Sequence, residues 1–340
     1  MHYFDHHGNN KGGAKPPVIK VLGAGNCGIN AIQHLKQTIS IGAEFISIDT
    51  DYLALQRIKE AAVIKLEPDE IQDLALEVDS NASSQTRASI AENIDGADLI
   101  ILIAGMGGNT GTVVATTIAE EAKKLGIFVI AVVTTPFSSE GSGRIAIAEK
   151  AIWEIKKHVK SPIIIQNENR TEKVATNFAF DYACKSANDM IYNTVKNIIE
   201  VIQFPYFMCL DLIDVMYVLN LGGLAVSGTG TAAGVNRARR AIENALRTPL
   251  LAEVNLMEVS GVLVIVKLAP DFGSDEISDI CRAFEDYSDD DATLIVGVTQ
   301  DDKMEDKLQV TVIVVGLGEP YCDTVPFNMP TINQQKLLIT

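Results

Sequence analysis

Two glycine-rich segments carry the residues best suited to binding an anion. Residues 105–112 read GMGGNTGT, after the apolar run 98–104 and before the helical pattern 110–124. Strand, glycine turn and helix in this order point backbone N–H groups at a phosphate. Four glycines leave the turn without Cβ atoms: Gly105, Gly107, Gly108 and Gly111. No Gly-Lys-Ser/Thr follows, so the segment predicts a phosphate site other than a Walker loop.

The other glycine-rich segment, residues 23–28, reads GAGNCG and stands between a predicted strand and a predicted helix. With Asp49 at the end of the next strand, it matches the dinucleotide-binding fingerprint, in which an acid binds ribose. A dinucleotide fold uses one such loop, whereas two loops favour a nucleotide with a longer phosphate chain. Asn30, one helical turn further on, either donates its amide to that ligand or is an ordinary surface residue.

Polar side chains after the later strands extend this pattern. Glu140 can accept hydrogen bonds from ribose and Arg144 can bring positive charge to phosphate, although the two also suit a surface helix pair. Asn167 follows a strand and suits a purine or sugar edge. Asp211 and Asp214 start a helix at i, i+3 spacing. They are either acids favoured by the helix dipole or a pair that orients water or binds a cation.

The composition excludes several classes of protein. The chain has 340 residues, 47% of them hydrophobic, and a net charge of −16, which argues against binding nucleic acid or anionic lipid. Five cysteines without a CxxC pair indicate reduced thiols: residues 27, 184, 209, 281 and 322. No apolar run has spanning length and the first residues lack a secretory apolar segment. We therefore expect a cytoplasmic protein without direct membrane insertion.

The periodicity places these residues on an α/β scaffold. Strands alternate with helices from Val18 onward, which predicts a mainly parallel sheet covered on both faces. The predicted strands are 18–22, 44–48, 98–104, 127–133 and 162–166, and the predicted helices are 27–37, 81–94, 110–124 and 143–158. The acidic stretch 60–80 has no clear periodicity.

A long helical pattern at 171–203 connects this region to a second one. The second region is predicted to be a smaller α+β domain, with helices at 211–220 and 234–246 and strands at 261–268, 292–299 and 307–316. The expected division is a flexible tail, a nucleotide-binding domain, a central helix, a C-terminal domain and a short tail: 1–17, 18–170, 171–204, 205–318 and 319–340.

Taken together, these segments resemble the tubulin/FtsZ superfamily, and specifically its bacterial FtsZ family. The resemblance covers roughly 18–318. It rests on VIKVLGAGNCGINAI, FISIDTDYLAL, ADLIILIAGMGGNTGT, AVVTTPFSSEGSGR, SANDMI, DLIDV and SGTGTAAGVNRARRAIENAL. It implies a Rossmann-type parallel-sheet GTPase domain joined by a long central helix to a smaller α+β domain. It also implies a filament of cell division whose subunits stack head to tail and hydrolyse GTP to GDP at their contacts.

The resemblance assigns roles to individual residues. The implied GTP contacts are Asn26, Cys27, Gly28, Ile29 and Asn30 in the first loop, Gly105, Gly107, Gly108, Asn109, Thr110 and Gly111 in the second, Glu140 and Arg144 at ribose and phosphate, and Asn167 and Asn188 at guanine. Asp211 and Asp214 would activate water in the neighbouring subunit's site. Mg²⁺ would be held through the GTP phosphates, with no direct protein ligand.

The chain also departs from the family pattern. Asn109 and Val113 replace glycines of GGGTGTG, Cys209 replaces an Asn and Cys184 a base-stacking Phe. Residues 67–90 lack the family's glycine-rich γ-phosphate loop, and no linker with a terminal docking peptide is evident before Thr340. These departures indicate a divergent member. The expected partners are copies of the chain itself and other division or filament proteins.

Two alternatives to the polymerising GTPase stay open at the level of sequence. The first is a nucleotide-binding scaffold filament with weak or no hydrolysis. The second is a nicotinamide oxidoreductase, which residues 23–28 would support if they stood alone. The second glycine loop and the pair Asp211 and Asp214 argue against the oxidoreductase.

Overall fold

The computed structural model describes residues 15–39, 42–58, 61–76, 80–166, 177–204, 210–248, 251–269, 272–287 and 292–317. Within these ranges the chain forms ten strands and ten α-helices. None of the described helices combines the length and the apolar character that crossing a bilayer requires.

The first half alternates strands and helices, as the sequence predicts. Its strands are β1 (Ile19–Ala24), β2 (Glu44–Asp49), β3 (Ala62–Lys65), β4 (Leu99–Gly105), β5 (Phe128–Thr135) and β6 (Ile163–Gln166). Its helices are α1 (Gly25–Lys36), α2 (Tyr52–Gln56), α3 (Pro68–Ala75), α4 (Asn81–Ile94), α5 (Asn109–Lys124) and α6 (Ser142–Lys156).

The second half begins with a 27-residue helix, α7 (Asn177–Gln203). After it come the helices α8 (Leu212–Leu219), α9 (Arg237–Leu246) and α10 (Ser274–Tyr287). The strands of this half are β7 (Leu224–Ala233), β8 (Gly261–Leu268), β9 (Thr293–Gln300) and β10 (Lys307–Leu317). The predicted long helix is confirmed from residue 177 onward, and residues 171–176 lie outside the described ranges.

All ten described strands belong to one sheet, in the order β3-β2-β1-β4-β5-β6-β7-β10-β8-β9. The pairs from β3 to β7 are parallel, β10 is antiparallel to both β7 and β8, and β8 is parallel to β9. The predicted parallel sheet is confirmed. Its continuation into the second half was not predicted, and it depends on a short ladder in which Ile163 and Ile164 of β6 pair with Ala225 and Val226 of β7.

Alternate residues of the central strands enter two separate apolar layers, because side chains of a strand point to opposite faces of the sheet. Val21 and Ile101 pack in the layer that contains α1 and α7, whereas Leu22 and Ile100 pack in the layer that contains α4, α5 and α6. Both faces are therefore dry, which explains the uninterrupted Val and Ile runs in the sequence. A third layer lies between strands β7 to β10 and helices α9 and α10.

Buried polar side chains of helix α7 form hydrogen bonds with both halves of the structure. The Nδ2 of Asn197 donates to the Oγ1 of Thr311 on β10 at 2.7 Å. The Nε2 of Gln203 donates to the carbonyl oxygen of Gly42, ahead of β2, at 2.9 Å. Since buried amides need partners, these bonds fix the position of the helix along its axis.

Five elements were not predicted from the sequence: α2, β3, α3, β7 and α10. Within 60–80, β3 and α3 are short, but α3 does carry a start signal: Pro68 in its first turn and the capping pair of Glu67 and Glu70. Strand β7 contains Gly228 and Gly230, which lower strand propensity. A Cβ on Gly230 would lie 2.1 Å from the Ala241 carbonyl oxygen, so α9 can pack on β7 only over glycine.

Candidate functional site

The strands β1, β2, β4 and β5 end together at a cavity of about 530 Å³. The carboxyl ends of parallel strands meet at one edge of a sheet, which is where α/β folds bind ligands. Eleven of the fifteen predicted nucleotide contacts line this cavity: Asn26, Cys27, Asn30, Gly105, Gly108, Asn109, Thr110, Gly111, Glu140, Arg144 and Asn188. Residues separated by as much as 162 positions in the chain are thus brought to one place (188 minus 26).

The two glycine loops touch each other at the floor of the cavity. A Cβ on Gly25, which has φ of 71°, would lie 2.9 Å from the Cα of Gly111. A Cβ on Gly111 would lie 2.7 Å from the carbonyl oxygen of Gly105. Only glycine at these positions allows α1 and α5 to begin side by side.

Neither of these helix starts is capped by a side chain. The residues that precede the helices, Ala24 and Gly108, provide no side-chain hydrogen bond, and no acid lies in either first turn. The first amides of a helix have no intrahelical acceptor, and the dipole places partial positive charge there. Two adjacent uncapped helix starts therefore form an anion site of the kind that binds polyphosphate.

Three predicted contacts do not line the cavity, and each of them has another role in the structure. A Cβ on Gly28 would lie 2.5 Å from the carbonyl carbon of Gly23, so Gly28 lets α1 pack directly on β1. Gly107 has φ of 96° and turns the second loop beside Pro136. Ile29 is 2% exposed and lies in the apolar core. Direct contact of these three with a ligand stays a prediction, and Asn167 lies outside the described residues.

Glu140 and Arg144 form an ion pair at the wall of the cavity. The Nη1 of Arg144 lies 2.6 Å from the Oε2 of Glu140, and its Nε donates to the carbonyl oxygen of Gly107 at 3.3 Å. The other carboxylate oxygen of Glu140 accepts from the backbone N–H of Phe137 at 2.9 Å. Glu140 precedes α6 and Arg144 lies in its first turn, so the pair spans the start of the helix and lines the cavity.

The remaining predicted residues differ in exposure. Asn26, Asn30, Asn109 and Asn188 are exposed and line the cavity with amides. Asn109 is the first residue of α5 and does not adopt a positive φ, whereas Gly107, two residues earlier, has φ of 96°. Asn109 therefore adds a side chain to the cavity without straining the loop.

Sequence reasoning did not carry Asp49 and Thr134 into the site, although both line the cavity. Asp49 is 3% exposed and its Oδ1 accepts from the backbone N–H of Thr50 at 2.6 Å. Thr134 lies near the end of β5, with its Oγ1 3.7 Å from the Sγ of Cys27. The signal for both was present, because every parallel strand that ends at this edge places its last residues there. In the sequence, Asp49 is explained by the dinucleotide fingerprint alone.

Asp211 and Asp214 do not line the cavity; they start helix α8. The Oδ1 of Asp211 accepts from the backbone N–H groups of Ile213 and Asp214 at 2.8 and 3.0 Å, and the Oδ2 of Asp214 accepts from the N–H of Asp211 at 3.0 Å. The sequence predicted two acids at the start of a helix, where the dipole favours them; the reciprocal cap between them was not predicted. It leaves both carboxylates at the surface, beside Ile213, which is 72% exposed.

Comparison with known proteins gives the same assignment along nearly the whole chain. The family model described as "Tubulin/FtsZ family, GTPase domain" matches residues 18–174, and the one described as "FtsZ family, C-terminal domain" matches residues 223–318. The cell division protein FtsZ of Pseudomonas aeruginosa is 39% identical over 309 residues, which are 90% of this chain and 78% of that protein. FtsZ of Coxiella burnetii is 37% identical over 88% of this chain and 79% of its own length.

A solved structure of similar shape supports the fold. An empty FtsZ dimer of M. jannaschii superposes with a TM-score of 0.79 at 30% identity, over 89% of both chains. CetZ2 of Haloferax volcanii, at 16% identity and a TM-score of 0.68, shares the fold. These matches exclude the nicotinamide enzyme. The chain belongs to the tubulin/FtsZ family and is a GTPase of the FtsZ type.

Proposed function

We propose that GTP binds in the cavity at the ends of β1, β2, β4 and β5, and that successive subunits of a cell-division filament complete its hydrolysis. The observation that carries the proposal is the pair of uncapped helix starts, α1 and α5, side by side at the cavity floor. Backbone amides in this arrangement bind the phosphate chain without a lysine.

The other lining residues arrange the nucleotide around that anchor. Glu140 accepts from the ribose, and Arg144 donates to a phosphate through the guanidinium N–H groups that are not bonded to Glu140 or Gly107. Asn188, on α7, and Asn167 pair with the guanine edge, which selects GTP over ATP. An unmade hydrogen bond to a buried polar group costs about 1–3 kcal/mol, so ATP should bind roughly ten- to a hundredfold more weakly.

The charges of the lining residues support binding of Mg²⁺ together with the nucleotide. Among the described lining residues, Arg144 is the one cation and it is ion-paired, whereas Asp49 and Glu140 are acids. A triphosphate therefore needs counter-charge from outside the chain. Mg²⁺ prefers oxygen ligands, and in this site it would bind the phosphate oxygens and spread the charge that develops during hydrolysis.

The catalytic acids come from the next subunit. Asp211 and Asp214 are at the surface and outside their own chain's cavity, and their role is to orient and polarise the attacking water. Head-to-tail stacking brings them to the neighbour's nucleotide. Because this contact joins two different surfaces, it does not close and extends into a filament.

Exposed apolar side chains support such a contact on both surfaces. Near the cavity, Tyr52 and Leu53 at the start of α2 are 55% and 68% exposed. Beside the two acids, Ile213 and Tyr217 on α8 are 72% and 58% exposed. Large exposed apolar residues in patches are typical of interaction sites. The proposal places this self-association in the cytoplasm, where GTP is available, with other division proteins as further partners.

The test is phosphate release measured against protein concentration, together with sedimentation in GTP, GDP and no nucleotide. Hydrolysis shared between subunits predicts negligible release from dilute monomer and a steeper than linear rise with concentration. Release proportional to concentration would show that each chain hydrolyses alone. GTP-dependent sedimentation without release would identify the scaffold filament, and Asn109, Cys209 and residues 67–90 would then be the first positions to substitute.

A further inference from the structure

We propose that Asp49 is a protein ligand for the divalent cation of the bound nucleotide. This inference rests on the proposed nucleotide site, and it departs from the expectation that the cation is held through phosphates alone. It assigns to the end of β2 a role in setting the affinity for metal, and through the metal the affinity for nucleotide.

One oxygen of the Asp49 carboxylate is used by the protein and the other is not. Its Oδ1 accepts from the backbone N–H of Thr50 at 2.6 Å and from that of Asp51 at 3.2 Å. Its Oδ2 is buried and has no hydrogen-bond partner among the described residues. The residue is 3% exposed and lines the cavity. An unpaired buried carboxylate oxygen is costly, so its presence beside a ligand cavity points to a partner that arrives with the ligand.

The position of Asp49 in the sheet places it at the end of the cavity where the phosphates would lie. The neighbouring Thr50 has its Oγ1 3.4 Å from the Oγ1 of Thr110, the second residue of α5 and part of the phosphate loop. Glu140, the residue proposed to bind the ribose, follows β5, which is three strands away from β2 in the sheet. At about 4.8 Å per strand, that separation is roughly 14 Å. A ribose hydroxyl held by Glu140 is therefore out of reach of Asp49.

A cation is the phosphate-side partner that a carboxylate can accept. The carboxylate and the phosphates repel each other, and Arg144, the cation among the described lining residues, is already paired with Glu140 at 2.6 Å. A divalent ion between the Asp49 oxygen and a phosphate oxygen reverses the sign of that interaction. Carboxylate and phosphate oxygens are also the ligands that Mg²⁺ and Mn²⁺ prefer.

The effect of Asp49 on nucleotide affinity should therefore have opposite signs in the presence and in the absence of a divalent cation. When a divalent cation is present, Asp49 strengthens nucleotide binding, because both hold the same ion. When it is absent, Asp49 weakens nucleotide binding, because two negative groups face each other. A carboxylate that only shaped the loop would act in the same direction under both conditions.

The experiment compares wild type with Asp49→Asn, in which the amide oxygen can still accept from the Thr50 and Asp51 N–H groups. Dilute protein with a non-hydrolysable GTP analogue is titrated with Mn²⁺, and bound metal is followed by electron paramagnetic resonance. We expect the Mn²⁺ affinity of the Asp49→Asn complex to fall by about tenfold or more. In EDTA, Asp49→Asn should bind the analogue more tightly than wild type does.

The matched control is Glu44→Gln, which removes a carboxylate from the other end of β2. Its side chain is 66% exposed, and neither affinity should change. Asp49→Glu, which keeps the charge, should retain more Mn²⁺ affinity than Asp49→Asn. Equal Mn²⁺ affinity in wild type and Asp49→Asn, or weaker analogue binding by Asp49→Asn both with metal and in EDTA, overturns the proposal. If wild type itself fails to bind the analogue with Mn²⁺, the proposed nucleotide site is wrong as well.

Discussion

At the scale of single residues, the glycines around the cavity have two different tasks. Gly108 and Gly111 line the cavity, where a side chain would occupy ligand space. Gly23 and Gly28 lie behind it and let α1 pack on β1 without intervening side chains. A fingerprint of closely spaced glycines therefore records helix packing as well as ligand contact.

Gly28→Ala should destabilise the fold rather than merely weaken nucleotide binding. The added Cβ would lie 2.5 Å from the Gly23 carbonyl carbon and 2.6 Å from the Ile103 carbonyl oxygen. Both are backbone atoms of central strands, so we expect a loss of about 3 kcal/mol in the free energy of unfolding. Urea denaturation measures it.

Gly143→Ala is the control for that change. Gly143 lies in the first turn of α6, and no atom lies within 4 Å of its added Cβ. The variant should be as stable as wild type or up to about 1 kcal/mol more stable. Equal stabilities of the two alanine variants would contradict the assigned packing role of Gly28.

The pair Asp211 and Asp214 combines a structural and a proposed catalytic role in the same atoms. Asp211→Asn separates them, because Asn caps a helix about as well as Asp does but lacks the charge. We expect stability within about 0.5 kcal/mol of wild type and turnover reduced about 10²- to 10⁴-fold. Denaturation and phosphate release on the same sample measure both.

Asp211→Ala provides the comparison, since it should also lose about 1 kcal/mol of stability with the cap. Both Asp211 variants should still bind GTP as monomers. Mixing Asp211→Asn with a subunit that carries an altered nucleotide pocket should restore part of the turnover. Failure of monomeric Asp211→Asn to bind GTP would mean that the acid serves its own chain's site.

At the scale of secondary-structure elements, the long apolar strands and the helices beside them could be predicted from the sequence. Strand β4 and helices α4 and α5 match their predicted ranges to within about two residues, because burial on both faces leaves continuous Val and Ile runs. The site followed from the same rule, through the residues that end these strands. Strand β7 could not be predicted, since its glycines are explained by the approach of α9, which is a tertiary contact.

Helices α9 and α10 are joined by an ion pair that should make stability depend on pH. The guanidinium of Arg237 binds Glu276 through Nε at 2.7 Å and Nη2 at 2.9 Å. This hydrogen bond to Arg237 holds the pKa of Glu276 below its ordinary value of 4.5. A carboxyl with a lowered pKa contributes stability above its unfolded-state pKa and loses it as the pH falls through the folded-state pKa.

Glu276→Gln should therefore lower the free energy of unfolding at pH 7 by about 2 kcal/mol, because it leaves the buried Arg237 without its charged partner. The difference from wild type should shrink as the pH falls below about 4.5. Glu243→Gln, which breaks an exposed pair with Arg239 on the same helix α9, should cost less than about 0.5 kcal/mol. A Glu276→Gln deficit that does not change with pH would exclude the ion pair as its source.

At the scale of the whole molecule, the exposed apolar side chains beside Asp211 and those beside the cavity form two different surfaces. Ile213→Glu places a charge in the first of them without touching the nucleotide cavity. Burying an isoleucine contributes about 1.5–3 kcal/mol, so the protein concentration needed for filaments should rise about tenfold or more. Sedimentation with GTP measures this concentration, and GTP binding to dilute protein should be unchanged.

Leu125→Glu is the control for the filament surface. Leu125 is 45% exposed and follows the last residue of α5. Helix α5 has 16 residues, which places Leu125 about 24 Å from the cavity. The Leu125→Glu variant should form filaments at the same protein concentration as wild type. Filament assembly by Ile213→Glu that is as efficient as that of wild type would remove α8 from the contact.

The single sheet has a mechanical consequence for a subunit under tension. Strand β4 is paired with β5 along its whole length, whereas the described ladder between β6 and β7 joins Ile163 and Ile164 to Ala225 and Val226. A pulling force shared by so few hydrogen bonds loads each of them more heavily. Helix α7 runs across this line, with Asn197 held to β10 and Gln203 held to the backbone ahead of β2. Under tension, the sheet should therefore separate first between β6 and β7, and α7 should carry part of the force across this ladder.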